Sequence, residues 1–297
     1  MNQIYTRTDL ASECTARLDS KKAQLKDNDF TFDKLTEKGF QLSLLKILNS
    51  EGEKAIGKPC GTYVTINTGK IWHASEERFV SGSELICKYI KSLFAEISDN
   101  SEPRNILVAG LGNRYITSDA IGHEALKNVI ITRHLESANT SLYNMLGGKS
   151  VSGIAPGVIG QTGIETLEII RGAVKNVNPD LLIVIDALVA RELSNLATTV
   201  QITDTGIAPG SGIGNTRHAI NKKSIGCPVI AIGVPTVVES STLVYDALDR
   251  AGIKDISQSL TTVLENGRGF FVTPKESDTV TVEVSRLIAD AINLLIS

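Results

Sequence analysis

Residues 181–185, Leu-Leu-Ile-Val-Ile, are an unbroken run of large aliphatic side chains that ends on an acid, Asp186. A run of this length between Pro179-Asp180 and Asp186 reads as a central strand buried on both faces, the signature of a parallel sheet covered by helices. A second run, Ile106 to Gly110, leads through Gly-Leu-Gly-Asn at 110–113 to Asp119. The C-terminal ends of such strands line the crevice in which open α/β sheets bind ligands, so both carboxylates are expected there. An acid placed after five apolar residues must emerge from the sheet or be paired, because burying it alone is costly.

The rest of the chain repeats the same grammar. Strands are expected over 41–48, 62–66, 105–110, 181–186, 198–203 and 228–233, with a short late strand at 271–273. Helices are expected over 83–97, 119–130, 164–176, 187–196, 215–223, 240–250 and 255–266. The stretch 280–296 closes the chain as a helix, although Thr-Val-Thr-Val-Glu-Val at its start also has strand character. Capping-box spacing occurs at Ser50 to Glu53, Ser81 to Glu84 and Thr162 to Glu165. Residues 1–30 are polar and charged, an arm that docks weakly or is removed rather than part of the core. The alternation predicts a doubly wound α/β protein, with a mostly parallel twisted sheet and helices on both faces.

Composition excludes several function classes. The net charge of −3 and scattered Lys and Arg give no electrostatic footprint for nucleic acid or an anionic membrane. The longest apolar stretch, around 227–238, is interrupted by Gly233 and Pro235, short of the roughly 18 residues that a spanning helix needs. Cys14, Cys60, Cys87 and Cys227 are far apart in sequence and no secretory segment is evident at the N-terminus. Reduced thiols in a cytoplasmic compartment are therefore expected.

Glycine loops at 110–113, 156–163, 209–215 and 233–235 invite a phosphate-cradle interpretation, but the dinucleotide fingerprint lacks its third glycine and there is no Gly-x-x-x-x-Gly-Lys-Ser/Thr. The glycines fit a cleft wall that a backbone must approach closely. Asp119 can be a helix cap or a functional acid, and Glu165 reads as a cap. Asp119, His123 and Asp186 make a conceivable metal set, since Asp119 and His123 are four apart on a helix, but there is no His-Glu-x-x-His. His73, His134 and His218 are isolated. No Gly-x-Ser-x-Gly elbow occurs and no Cys has a His nearby in sequence.

Six longer motifs stand in fixed order: Arg-Thr-Asp-Leu-Ala-Ser-Glu at 7–13, the segment 110–122, Ser152 to Thr166, Ile-Asp-Ala-Leu-Val-Ala-Arg at 185–191, Asp204 to Asn215 and Pro228 to Val238. Together they closely resemble the spore germination proteases of Bacillus and Clostridium relatives, nearly end to end and on the clostridial side. The segment between the helix after 228–238 and Val272 to Glu276 is short where Bacillus members carry an insertion. His123 matches no motif position of the family.

The resemblance implies a fold like that of the hydrogenase-maturation proteases. It also implies an endopeptidase, an atypical aspartic protease without cofactor or metal, whose paired acids match Asp119 and Asp186. Its substrates would be the small acid-soluble proteins of the spore, its site of action the cytoplasm of the forespore and spore core, and its assembly a homotetramer. It would be made as a zymogen with a propeptide at 1–9 and one peptidase domain at 10–297, cut by itself between Asp9 and Leu10. In such a site one carboxylate takes a proton from water while a protonated partner polarises the carbonyl, mutual repulsion keeping one proton on the pair. Backbone N–H groups near Gly112, Asn113, Gly160 and Gly163 are candidate oxyanion donors.

Overall fold

The computed structural model describes residues 7–15, 28–99, 102–210, 218–253, 255–267 and 269–296. In chain order, helix α1 (Ala11–Thr15) precedes the hairpin β1 (Phe30–Glu37) and β2 (Phe40–Ile47), then α2 (Ser50–Ile56), β3 (Gly61–Asn67) and α3 (Glu76–Ile97). The strand β4 (Asn105–Gly110) is followed by α4 (Ile121–Asn128), the short helices α5 (Leu135–Ala138) and α6 (Thr140–Met145), and β5 (Ser150–Ile154). Next come α7 (Ile159–Thr162), α8 (Thr166–Val177), β6 (Leu181–Ala190), β7 (Thr199–Thr203), α9 (Lys222–Ile225) and β8 (Val229–Glu239). The chain closes with α10 (Ser240–Arg250), α11 (Gln258–Asn266), β9 (Phe271–Val272) and α12 (Ser277–Asn293).

One sheet runs β1-β2-β3-β7-β8-β6-β4-β5, with β9 added beside β8. Its parallel part is β5-β4-β6-β8, and the remaining pairings are antiparallel. The α/β expectation holds, with the parallel character concentrated in the half that carries both apolar runs. Strand alternation sorts those runs onto two faces. Ile106, Val108, Ile183 and Ile185 join α3, α4 and α12 in the larger core. Leu107, Ala109, Leu182 and Val184 pack with Leu167 and Ile170 of α8 on the opposite face. Asp186 has the parity of Leu182 and Val184, so the same alternation turns it to the α8 side.

Several sequence expectations change. Residues 187–190 continue β6 as strand instead of starting a helix, because β8 pairs with them through Ala187↔Val234 to Ala190↔Val238 across a bulge at Leu188/Val189. Leu-Val-Ala-Arg-Glu-Leu is a good helical sequence, and the partner strand overrides it. Only a 3₁₀ turn, Leu193–Asn195, survives of the expected helix. The strand expected over 228–233 runs on to Glu239, with Pro235 tolerated at the bulge. Strand β5 was missed because Ser-Val-Ser-Gly-Ile is too weakly apolar to mark an edge strand. Strand β1 was missed too, although Lys38-Gly39, both at positive φ, is the turn signal of a two-residue hairpin.

Helix boundaries moved where caps decided them. Helix α3 begins at Glu76 behind the N-cap Ser75, not at 83, and α2 is capped by Asn49 rather than by a Ser50–Glu53 box. The ambiguous stretch at 280 is helix: Val280, Val284, Leu287, Ile288, Ala291 and Ile292 form one buried stripe. Of the helix expected over 215–223, residues 215–217 lie outside the described residues and the helical turn is Lys222–Ile225.

The N-terminal segment also differs from expectation. Leu10 and Ala11 are fully buried, and Cys14 nearly so. Leu10 packs with Leu188, Ala190 and Val238, while Ala11 and Cys14 pack with Leu45, Ile47, Ile56 and Tyr63. The polar composition of 1–30 concealed a docked element at 7–15; residues 1–6 and 16–27 of that arm lie outside the described residues.

Candidate active site

A cavity of about 500 Å³ opens at the C-terminal end of the parallel strands. Asp186, Asp119 and Asp9 all line it, together with Gly112, Gly157, Gln201, Gly233 and Thr236.

Asp186 is 6% exposed and sits in the β6 ladder opposite Gly233 of β8. Asp119 comes from a 3₁₀ turn, Thr117–Asp119, and does not cap the helix that follows. The N-cap of α4 is Ala120, without a side-chain bond, whereas the Asp119 carboxylate accepts from the Asn113 backbone N–H at 2.8 Å. The capping alternative for Asp119 is thereby overturned, because its oxygen is aimed back at the glycine loop. That loop is held against the sheet by the Leu111 N–H, which donates to Ile185 O at 2.8 Å, one residue before Asp186.

Two glycines make this close approach possible. Gly112 has φ +95°, and a Cβ there would lie 1.9 Å from Asp119 O. A Cβ on Gly122 would lie 2.4 Å from Ile185 O and 2.5 Å from Leu111 N. Both clashes are with backbone, so no rotamer relieves them.

Two hydroxyls support the Asp119 turn from outside, and a third holds the start of α4 behind it. Thr236 of β8 donates to Ser118 O at 2.5 Å, Thr281 of α12 to Thr117 O at 3.1 Å, and Ser285 to Ile121 O at 3.0 Å. Sequence reasoning did not single these out, since a Thr on a strand or in a helix carries no local mark of a distant carbonyl.

The remaining expected site residues are distributed differently. Gly112 lines the cavity, but the Asn113 N–H is spent on Asp119 and so is not an open oxyanion donor. Gly160 lies within α7 and Gly163 is its left-handed C-cap; neither lines the cavity, where Gly157 and Val158 stand instead. Glu165 is the N-cap residue of α8 without a side-chain cap bond, so the Thr162–Glu165 box does not form. Thr162 bonds within its own turn. His123 does not line the cavity, and burial, helped by Lys127, holds its imidazole below the ordinary range. Among the described residues no group of three His, Cys, Asp or Glu side chains is arranged to hold a metal ion, so Asp119, His123 and Asp186 are not brought together as ligands.

The docked segment reaches the cavity at Asp9. Its backbone N–H donates to Val189 O at 2.8 Å and its carboxylate accepts from the Val189 N–H at 3.0 Å, so residue 9 is gripped by the β6 extension. Gln201 brackets the next bond, donating to Asp9 O at 3.4 Å and accepting from Ala11 N at 2.7 Å. Farther along, the Glu13 carboxylate, 3% exposed, accepts from the N–H groups of Arg191 and Glu192, from the Asn195 amide and from the Thr8 hydroxyl. That many charge-assisted bonds offset the desolvation of a buried acid.

A mixed α/β sheet with two acids at one strand-end cavity, and a chain segment clamped across it, defines an α/β protein with a carboxylate-lined cleft. A sequence model of the germination protease family matches residues 6–261. The chain is 40% identical over 282 residues to the germination protease of Caldanaerobacter subterraneus subsp. tengcongensis, covering 87% of this chain and 85% of that protein. It is 38% identical over 310 residues to that of Clostridium perfringens, covering 97% and 94%, and 43% identical over 260 residues to that of Priestia megaterium, covering 84% and 68%. Among solved structures, a NiFe hydrogenase maturation protease from Thermococcus kodakarensis aligns with TM-score 0.37 and 17% identity, over 69% of this chain and 98% of that one. The chain belongs to the germination protease family and is accordingly a peptidase, a hydrolase of peptide bonds. No helix of the described residues is long and apolar enough to cross a membrane.

Proposed function

We propose that this peptidase degrades small acid-soluble spore proteins at germination, that it is made as a zymogen, and that it cuts itself between Asp9 and Leu10 with Asp119 and Asp186 as a catalytic carboxylate pair. The observation that carries this reading is that Asp9, in a docked segment, lines the same cavity as both acids.

Peptide hydrolysis by such a pair needs one ionised carboxylate to take a proton from water as it attacks the carbonyl carbon, and one protonated carboxyl to donate to the carbonyl oxygen. As the C–N bond breaks, the proton taken from water passes to the leaving amine, and the other carboxylate recovers its proton from a hydroxyl of the tetrahedral intermediate as the carbonyl re-forms. Asp119, held by the Asn113 N–H, and Asp186, in the β6 ladder, are both on rigid supports suited to this role. The glycine-rich walls at Gly112 and Gly157 allow an extended peptide to approach them. On the family resemblance the working assembly is a homotetramer and its place the spore core; sedimentation velocity and fractionation of spores check these two points.

The test uses Asp119→Asn and Asp186→Asn in the full chain. Each should leave the precursor uncut and lower peptide cleavage by about 10² to 10⁴-fold, the usual contribution of a general acid or base. Replacing Asp9 and Leu10 should block processing with the pair intact. Full activity in either Asn variant, or loss on chelation that a single divalent metal restores, overturns the acid-pair mechanism.

A further inference from the structure

Beyond the acid pair, the segment that reaches it carries a second charge into the fold. Arg7, the third residue on the N-terminal side of the proposed cut, places Nη1 3.3 Å from Glu239 Oε1. Glu239 is 1% exposed at the end of β8, while the Arg7 side chain is 33% exposed, so the acid belongs to the wall and the cation comes from outside. Thr242, fully buried in α10, ties the two together. Its hydroxyl accepts from the Arg7 backbone N–H at 3.2 Å and donates to Glu239 Oε2 at 3.1 Å. One buried hydroxyl thus reads the main chain of residue 7 while orienting the carboxylate that reads its side chain.

We infer that Glu239 and Thr242 form a substrate subsite for a basic side chain, lysine or arginine, at the third position before the scissile bond. The inference rests on the proposed cut between Asp9 and Leu10. Three features make the site a substrate subsite and not only a strut of the precursor. It stands in register with the cavity: Val189 holds residue 9 and Thr242 holds residue 7, both by main-chain bonds that any extended peptide can reproduce. It is emptied by the reaction itself, since residues 1–9 leave when the bond is cut, whereas Leu10, Ala11 and Glu13 are held by contacts on the other side of it. And a carboxylate this deeply buried favours a cationic partner strongly over a neutral one, because its desolvation is already paid for in the fold.

The test compares capped peptides Arg-Thr-Asp-Leu-Ala-Ser-Glu and Gln-Thr-Asp-Leu-Ala-Ser-Glu with the processed enzyme. The arginine peptide should have the higher kcat/KM by about tenfold, the difference lying in KM. Glu239→Gln should remove the advantage of the arginine peptide, bringing the ratio of the two kcat/KM values close to one. Thr242→Val, which keeps the carboxylate, should reduce the preference and serves if Glu239→Gln folds poorly. In a second arm, the nonapeptide of residues 1–9 and its Arg7→Gln version are titrated into processed protein by calorimetry, with the arginine form expected to bind about tenfold tighter. Equal kcat/KM for the two heptapeptides, or equal affinity of the two nonapeptides, overturns the subsite. If neither heptapeptide is cut while the nonapeptides still differ, the cation site stands and the proposed cleavage chemistry falls.

Discussion

At the scale of the residue, the site depends on backbone carbonyls that distant hydroxyls hold in place. Asp119 is carried on a three-residue turn, and a turn that short does not by itself hold an acid within the tolerance catalysis needs. Thr236 is 3% exposed and its bond to Ser118 O crosses from β8 to the turn. Thr236→Val keeps the shape and removes that bond, worth about 1 kcal/mol, so kcat should fall roughly five- to tenfold with KM unchanged. Thr236→Ser should restore most of the rate, and a raised KM with unaltered kcat would show that the hydroxyl does not position Asp119. Asp186 could be recognised in sequence because the five apolar residues before it admit few environments. Asp119 could not be separated from a helix cap, since an acid at the head of a helical pattern has the same local look in either role.

At the scale of the element, β7 and the loop after it show what burial does to a charge near the cleft. Asp204 follows β7 and accepts from the Thr62 N–H at 2.8 Å, bridging to β3. Burial raises its carboxyl above the ordinary value of 3.8, outweighing that hydrogen bond. A carboxyl with a raised folded value binds its proton more tightly in the folded state. The stability it contributes is therefore complete below 3.8 and declines as the pH climbs through the folded value. Asp204→Asn retains an oxygen for Thr62 and removes the charge, so its urea midpoint should exceed that of the parent at pH 7. The two midpoints should converge as the pH drops below 3.8, and a constant gap would assign the effect to something other than this ionisation. Strand β6 teaches the complementary lesson. Its first half is legible as strand from composition alone, while residues 187–190 have helical propensity and become strand through β8 on one side and Asp9 on the other.

At the scale of the whole molecule, residues 7–15 connect the cavity to the antiparallel half of the sheet. Leu10 belongs to the cluster around Leu188 and Val238, and Ala11 and Cys14 to the cluster under β2 and β3. Cutting between Asp9 and Leu10 should therefore alter the cavity wall and spare the second attachment. Hydrogen–deuterium exchange compares precursor and processed protein directly. The Val189 amide, which Asp9 protects, should exchange faster after processing, and those of Arg191 and Glu192, which Glu13 protects, should not change. Faster exchange at all three would mean that the whole segment is released.

The sequence by itself determined the α/β class, the central strands and the arrival of Asp186 at a strand end, because runs of aliphatic residues and their alternation are local properties that burial reads directly. Its motif order also marked the family. Only the tertiary structure decided that Asp119 faces the same cavity, that β6 runs past its acid, and that a polar N-terminal stretch is docked over the cleft. Each of these rests on partners far away in sequence, Ile185 for Leu111, Val238 for Ala190, Glu239 for Arg7, and no local pattern encodes a contact whose other half lies 74, 48 or 232 residues away.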